Sequence, residues 1–158
     1  MSVLYVDSLQ PNLGSGVHIA GHVVQVVHNE STTSFSTSSP SYLPSGLSAT
    51  ITPKYANSLI LISWGASCDS QAAGKMVSSC PAKNGTLLRS TSTALARATV
   101  LWNGAGRSVA SVSATMSDTA GTTSPITYEI YVSSLDSYGI YWGYADSPQT
   151  ITLQEIAQ

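Results

Sequence analysis

The chain reads as an all-β protein: an antiparallel β-sandwich body, jelly-roll-like, carried behind an extended N-terminal leader. Three observations lead there. Apolar and polar residues alternate over short runs, Gly, Pro and Asn turns separate those runs, and no segment keeps helical spacing between caps. The best helical candidate, residues 90–97, opens on Ser-Thr-Ser-Thr, which is poor helix material and good strand material.

Taken in order, residues 1–21 differ from the rest. Leu4-Tyr5-Val6 is a short extended piece, and the following Pro11-Asn12-Leu13-Gly14-Ser15-Gly16 cannot continue any regular element. Such a leader cannot bury itself alone, so it orders only against a partner surface. Leu4, Val6, Leu9 and Leu13 are its candidate attachment residues. The compact body is expected over residues 22–158. It opens with a β-prone run, His22 to His28, followed by a polar, Ser/Thr-rich loop from Asn29 to Pro44. Strands are expected at Leu47 to Ile51, Leu59 to Ser67 and Thr86 to Arg89.

Two further runs, Ala94 to Trp102 and Ser108 to Met116, flank Asn103-Gly104. Asn-Gly tolerates positive φ at both positions and is a strong hairpin signal, so these runs are expected as antiparallel neighbours. The clearest strand is Pro125 to Ser133. Its Ile126, Tyr128, Ile130 and Val132 alternate with Thr127, Glu129, Tyr131 and Ser133, which puts the first set on a core face. Asp136-Ser137-Tyr138-Gly139 then turns the chain into a strand from Gly139 to Tyr144, and Asp146-Ser147-Pro148 turns it into the last one, Thr150 to Ile156. No constant-period repeat is present, which excludes solenoids and propellers.

Composition narrows the function classes. Charged residues make up 9% of the chain, against roughly 25% in an ordinary soluble domain, while 42% are hydrophobic. Ser and Thr fill much of the gap, at roughly a quarter of the sequence. Hydroxyls bind water but do not repel identical hydroxyls, so this surface suits a protein that packs against neighbours, its own copies included. Net charge is −2 and no basic patch exists, which argues against nucleic acid as a partner. The start has no charged and apolar segments of a signal peptide. The longest apolar run, Leu59 to Trp64, falls far below the roughly 20 residues of a spanning helix. The expectation is a chain made in the cytoplasm, not inserted into a membrane, and soluble until it assembles.

Chemistry-bearing residues are few. Cys68 and Cys80 bracket a loop with Gly74; they are either two free thiols or a bridge formed after release into an oxidising medium. A loop of that size would gain about 3 kcal/mol from closure. No second Cys or His pair accompanies them, so zinc is not indicated. His18, His22 and His28 are expected as ordinary polar positions. On one strand His22 and His28 would lie about 20 Å apart, and only copies around a threefold axis would gather them on a metal. Gly74-Lys75-Met76 lacks the remaining residues of a phosphate loop, and no Gly-x-Ser-x-Gly elbow appears. The carboxylates are scattered, so neither catalysis nor a cofactor or metal is expected. Tyr138, Tyr141, Trp142 and Tyr144 crowd the C-terminal hairpin. Alternation puts Tyr138, Ile140, Trp142 and Tyr144 on one side and Tyr141 on the other. They either fill the core or form an interface or glycan-binding surface. Trp64 and Trp102, each ending an apolar run, are expected in the core.

The order of several segments resembles a known group. Leu4-Tyr5-Val6-Asp7-Ser8-Leu9-Gln10 and Gly21-His22-Val23-Val24-Gln25-Val26-Val27 are similar to the start of small tail-fibre and virion structural proteins of tailed phages, those of cyanobacterial phages especially. Leu47 to Lys54 followed by Ser58-Leu59-Ile60-Leu61-Ile62 resembles that group's strand, Pro-Lys, strand segment, and Thr150 to Ala157 its C-terminal strand. The resemblance covers most of the chain outside Cys68 to Ala82. It implies a β-sandwich body, a homotrimer and a place on the outside of a virion, with no cofactor and no active site. The leader would then fix the protein to other virion proteins of the tail or baseplate, and the aromatic hairpin would face host surface glycan. A capsid decoration (cement) protein is the alternative, with a free carbohydrate-binding module and a glycan-degrading enzyme behind it.

Overall fold

The computed structural model describes residues 19–70, 76–89, 99–101, 108–135 and 137–158. Leu4, Val6, Leu9, Leu13, His18, Trp102 and the Asn103-Gly104 turn lie outside them. The described residues form eleven strands: β1 (Val23–Ser31), β2 (Phe35–Thr37), β3 (Leu43–Ile51), β4 (Leu59–Ser70), β5 (Val77–Lys83), β6 (Thr86–Leu87), β7 (Thr99–Leu101), β8 (Ser108–Thr119), β9 (Ile126–Ser134), β10 (Ile140–Trp142) and β11 (Gln149–Ile156), with one 3₁₀ turn at Tyr144–Asp146.

They make two antiparallel sheets. In the first, the long strand β4 pairs along one side with all of β8, and along the other with β11 and then β10; β1 lies outside β11 and β2 outside β10. In the second, the order is β3-β9-β5, with β6 and β7 following one another beside β5. These are called the β4 sheet and the β9 sheet. Leaving out β2, β6 and β10, successive strands alternate between the sheets except from β5 to β7, giving β1-β11-β4-β8 against β3-β9-β5-β7, the strand order of a jelly roll. The expected all-β sandwich is therefore the fold.

The sheets are held by the inward positions of each strand. Ile60, Ile62, Trp64, Ala66 and Cys68 from β4 and Ile151 and Leu153 from β11 meet Leu47, Ala49 and Ile51 from β3 and Ile126, Tyr128, Ile130 and Val132 from β9. All are buried, and together they make one core. Polar staples join the sheets where the core thins. Trp64 Nε1 donates to Ser79 Oγ at 3.0 Å. Asn29 Nδ2 donates to the Ser48 carbonyl at 2.8 Å, tying β1 to β3. At one end Lys83 reaches Asp118 at 2.8 Å, and the Tyr128 hydroxyl donates to the same carboxylate. Burial and then that carboxylate raise the Tyr128 pKa.

A buried carboxylate closes the same end. Glu155, with no exposed surface, accepts from Gln25 Nε2 at 2.6 Å, Ser58 Oγ at 2.8 Å, and the backbone N–H groups of Lys54 at 2.8 Å and Tyr55 at 3.1 Å. Burial by itself pushes this carboxyl up. The four hydrogen bonds to its charged form outweigh burial and leave its pKa lowered.

Several local expectations change. The runs around Asn103-Gly104 are not mutual partners among the described residues: β7 pairs with β5 and β8 with β4, so the connection crosses from one sheet to the other. The 136–139 turn likewise links different sheets, β9 to β10. Strand β10 stops at Trp142, and β10 and β11 do not form a hairpin; both run antiparallel to β4, one after the other. The strand expected over Thr86 to Arg89 shortens to Thr86–Leu87. The Asn29 to Pro44 loop contains β2, and β5 appears where a Cys-flanked loop was expected.

Candidate functional site

Alternation along β4, β8 and β11 sends every second side chain away from the core, onto the outer face of the β4 sheet. Register sets the rows on that face. Thr152, Ser63 and Thr115 stand abreast; the next row is Thr150, Gly65 and Ser113; the next pairs Ser67 with Ser111; then come Tyr141, Asp69 and Val109. The first three rows carry hydroxyls at every position but Gly65, and they span about 13 Å along the strands. Ser63 and Thr115 share a hydrogen bond at 3.0 Å, and His28 Nδ1 sits 2.9 Å from Thr152 Oγ1. Two shallow depressions of about 290 and 360 Å³ adjoin on this face and share Gly65, Ser113 and Thr150 in their walls. Among the described residues, no charged side chain lines either.

An aromatic pair, Tyr141 and Tyr144, lies past the Ser67 end of this trough, outside the lining of both depressions. Gly143, with φ near 70°, turns the chain out of the sheet after β10. Ser67 Oγ donates to the Tyr144 carbonyl at 3.1 Å and holds the turn against β4. The Tyr141 and Tyr144 rings consequently lie 6.2 Å apart, tilted by 60°, both partly exposed. Pro148 lines the neighbouring depression, and Val109 is 52% exposed in the same row as Tyr141.

The aromatic cluster expected from sequence is therefore divided. Tyr138 is 49% exposed, and Tyr141 and Tyr144 sit together on the outer face. Trp142 is fully buried with Ile140 in the core, which removes it as an interface or glycan residue. Alternation correctly put Trp142 with Ile140 and opposite Tyr141. It failed for Tyr144, because the left-handed Gly143 resets the side-chain direction.

Cys68 and Cys80 are free and buried. No bridge joins them, because they face different ways. Cys68 belongs to the core, whereas Cys80 shares with its cross-strand partner Tyr131 the outer face of the β9 sheet. Burial pushes the Cys68 thiol up to about 12 and raises that of Cys80, which nearby Arg89 and Leu88 partly offset. His22 and His28 are exposed. Among the described residues, no three His, Cys, Asp or Glu side chains gather in a metal-binding group, and no helix is long and apolar enough to cross a membrane.

Sequence reasoning passed over the hydroxyl rows themselves. Their signal is in β8, where Ser111, Ser113, Thr115 and Ser117 alternate with Val112, Ala114 and Met116. Reading that run only as a strand left both of its faces unassigned. Comparison with protein-family models finds no matching family, and comparison with curated proteins finds none similar to this chain.

Proposed function

We propose that the chain is a structural protein of a bacteriophage virion, of the tail-fibre type, working as a homotrimer fixed to the particle through residues 1–21. The observation that carries this reading is an apolar strip where the leader enters the body. Ile19, Val23 and Val26 are 46%, 44% and 55% exposed there. Gly21 N–H donates to the Ala157 carbonyl at 2.7 Å and Ala157 N–H to the His22 carbonyl at 3.0 Å, so the strip is anchored beside the C-terminal strand. Three exposed valine and isoleucine side chains beside the C-terminal strand suit contact between sibling copies.

The rest of the surface supports the same reading. With 9% charged residues the body offers little like-charge repulsion to its own copies. Among the described residues β8, twelve residues long and ending the β4 sheet, pairs only with β4 and carries neither Lys nor Pro. Those are residues that usually guard a sheet edge against pairing. A bare edge of this length also suits a lattice, which is the specific support for a capsid decoration protein as the second reading.

Immunogold labelling of intact particles tests the proposal. Label at the tail is the expected result, with sedimentation giving a trimer. Label spread over the head transfers the protein to the decoration class. A lone protomer at high concentration, with no particle carrying it, ends both readings.

A further inference from the structure

Gly65 lies in the middle of β4, at the meeting point of the two depressions, and the fold does not require a glycine there. Its φ is outside the left-handed region, and a Cβ added to it would find the Val112 carbonyl at 3.6 Å, Ser113 Cβ at 3.8 Å and Thr150 Oγ1 at 3.8 Å, all ordinary contacts. Gly143 is the opposite case: φ is near 70°, and a Cβ would run into the Gln149 side chain. A glycine inside a strand weakens it. Where neither strain nor crowding demands one, it marks a place that something outside the strand approaches closely.

We propose that the trough centred on Gly65 binds an uncharged glycan, its rings lying over the hydroxyl rows and its distal sugar against Tyr141 and Tyr144. The lining selects the ligand class. Phosphates, sulfates and uronic acids find no cation among the described residues that line either depression. An apolar ligand would strip water from Ser63, Ser67, Ser113, Thr115 and Thr150 without replacing it. A neutral polyhydroxylated chain returns hydroxyl for hydroxyl, because each Ser or Thr both donates and accepts.

The tyrosine pair supplies the other half of glycan recognition, large amphipathic area for the C–H face of a sugar. Val109 and Pro148 extend that apolar end. Gly65 lets a ring settle onto the β4 backbone between Ser113 and Thr150, where any side chain would hold it off. The inference goes beyond the virion reading, since the site belongs to the body wherever the body is mounted.

The test uses the full chain on an array of neutral glucans, galactans, mannans and xylans beside sulfated and uronic-acid polymers, with titration calorimetry on any polymer retained. Retention of at least one neutral polymer, unweakened by high salt, is expected. Gly65→Val and Tyr141→Ala should each lower its affinity tenfold or more. Ser117→Ala, outside the trough, should leave it unchanged. Gly65→Ala, whose added methyl group fits, should lose several-fold in affinity while melting no lower than the parent. Thr150→Val, nearly the same shape, gives a second reading that does not depend on folding of the Gly65 variants and should also weaken binding. Silence across the neutral polymers overturns the proposal, as does preference for the charged ones or full binding by Gly65→Val and Tyr141→Ala together. An altered sedimentation coefficient in Gly65→Val with a silent array would also overturn it, assigning the face to contact between copies. Particle labelling is independent of all these readouts, so the virion reading stands or falls separately.

Discussion

The outer faces of the two sheets share a backbone geometry and small polar side chains, and differ in how far they are covered. On the β4 sheet, Ser111, Ser113 and Thr115 stand in the open. On the β9 sheet, Ser78, Cys80, Ala82 and Ser133 occupy corresponding outward positions, and each is at most 2% exposed. Chain outside the sheet accounts for part of that cover. Tyr42 places its hydroxyl on Ser78 Oγ, and the backbone at Leu88 and Arg89 approaches the Cys80 thiol. One outer face of the sandwich is therefore covered at its small residues, whereas the other carries its hydroxyls in the open. Small polar side chains are common to both faces, so polarity alone does not say which is wet. What decides is whether the connecting segments return across the sheet.

That contrast can be broken most severely from the core the two sheets share. Trp142 is fully buried between them, and Trp142→Ala should cost about 3–5 kcal/mol. Chemical denaturation followed by fluorescence should show both sheets lost in one transition; separate transitions would mean that the faces belong to independent units.

A direct comparison comes from the same substitution on each face. Cys80→Phe overfills a covered site and should cost about 1–3 kcal/mol. Ser113→Phe projects into the trough and should stay within about 0.5 kcal/mol of the parent. Equal costs, measured by urea melts, would contradict the difference in cover.

The Glu155 carboxylate sharpens the comparison at the leader end, where it ties β11 and β1 to the Lys54–Tyr55 segment that leads from the β9 sheet back into β4. Its pKa is lowered in the folded chain, so its stabilising contribution is full above the unfolded carboxylate value and disappears as pH falls through the folded one. Glu155→Gln should therefore cost about 1–3 kcal/mol near pH 7 and progressively less below pH ~4. Melting curves taken from neutral to acid pH check this, and a gap that widens on acidification would reverse the assignment.

The smallest effect is on reactivity. Cys68 in the core and Cys80 on the covered face of the β9 sheet should both resist alkylation in the native chain, and both should titrate as free thiols after denaturation without reductant. A bridge would leave no thiols to titrate. Rapid native labelling of Cys80 alone would show that the cover over the β9 sheet opens.

Much of this architecture was legible in the residues. Strands β3, β9 and β11 alternate where one face is buried, and period two needs no partner to be recognised; β4 shows instead as an apolar run. β5 escaped, because Val-Ser-Ser-Cys-Pro-Ala-Lys is buried on both faces and shows no alternation. The aromatic cluster was visible as a cluster, yet its division between core and surface turned on the backbone of one residue, Gly143. The trough was the least legible part, since its rows combine Ser67, Ser111 and Thr150 from strands far apart in sequence.

By itself, then, the sequence determined that this chain is built of strands, which side chains on most of them point together, and that its surface is nearly free of charge. These are local or summed properties of neighbouring residues. Only the tertiary structure decided which strands pair, which sheet face is covered, that Cys68 and Cys80 face apart, and that Gly65 lies at the centre of an open hydroxyl-lined trough. Those depend on register between distant strands and on the paths of the connections, and no short stretch of residues contains either.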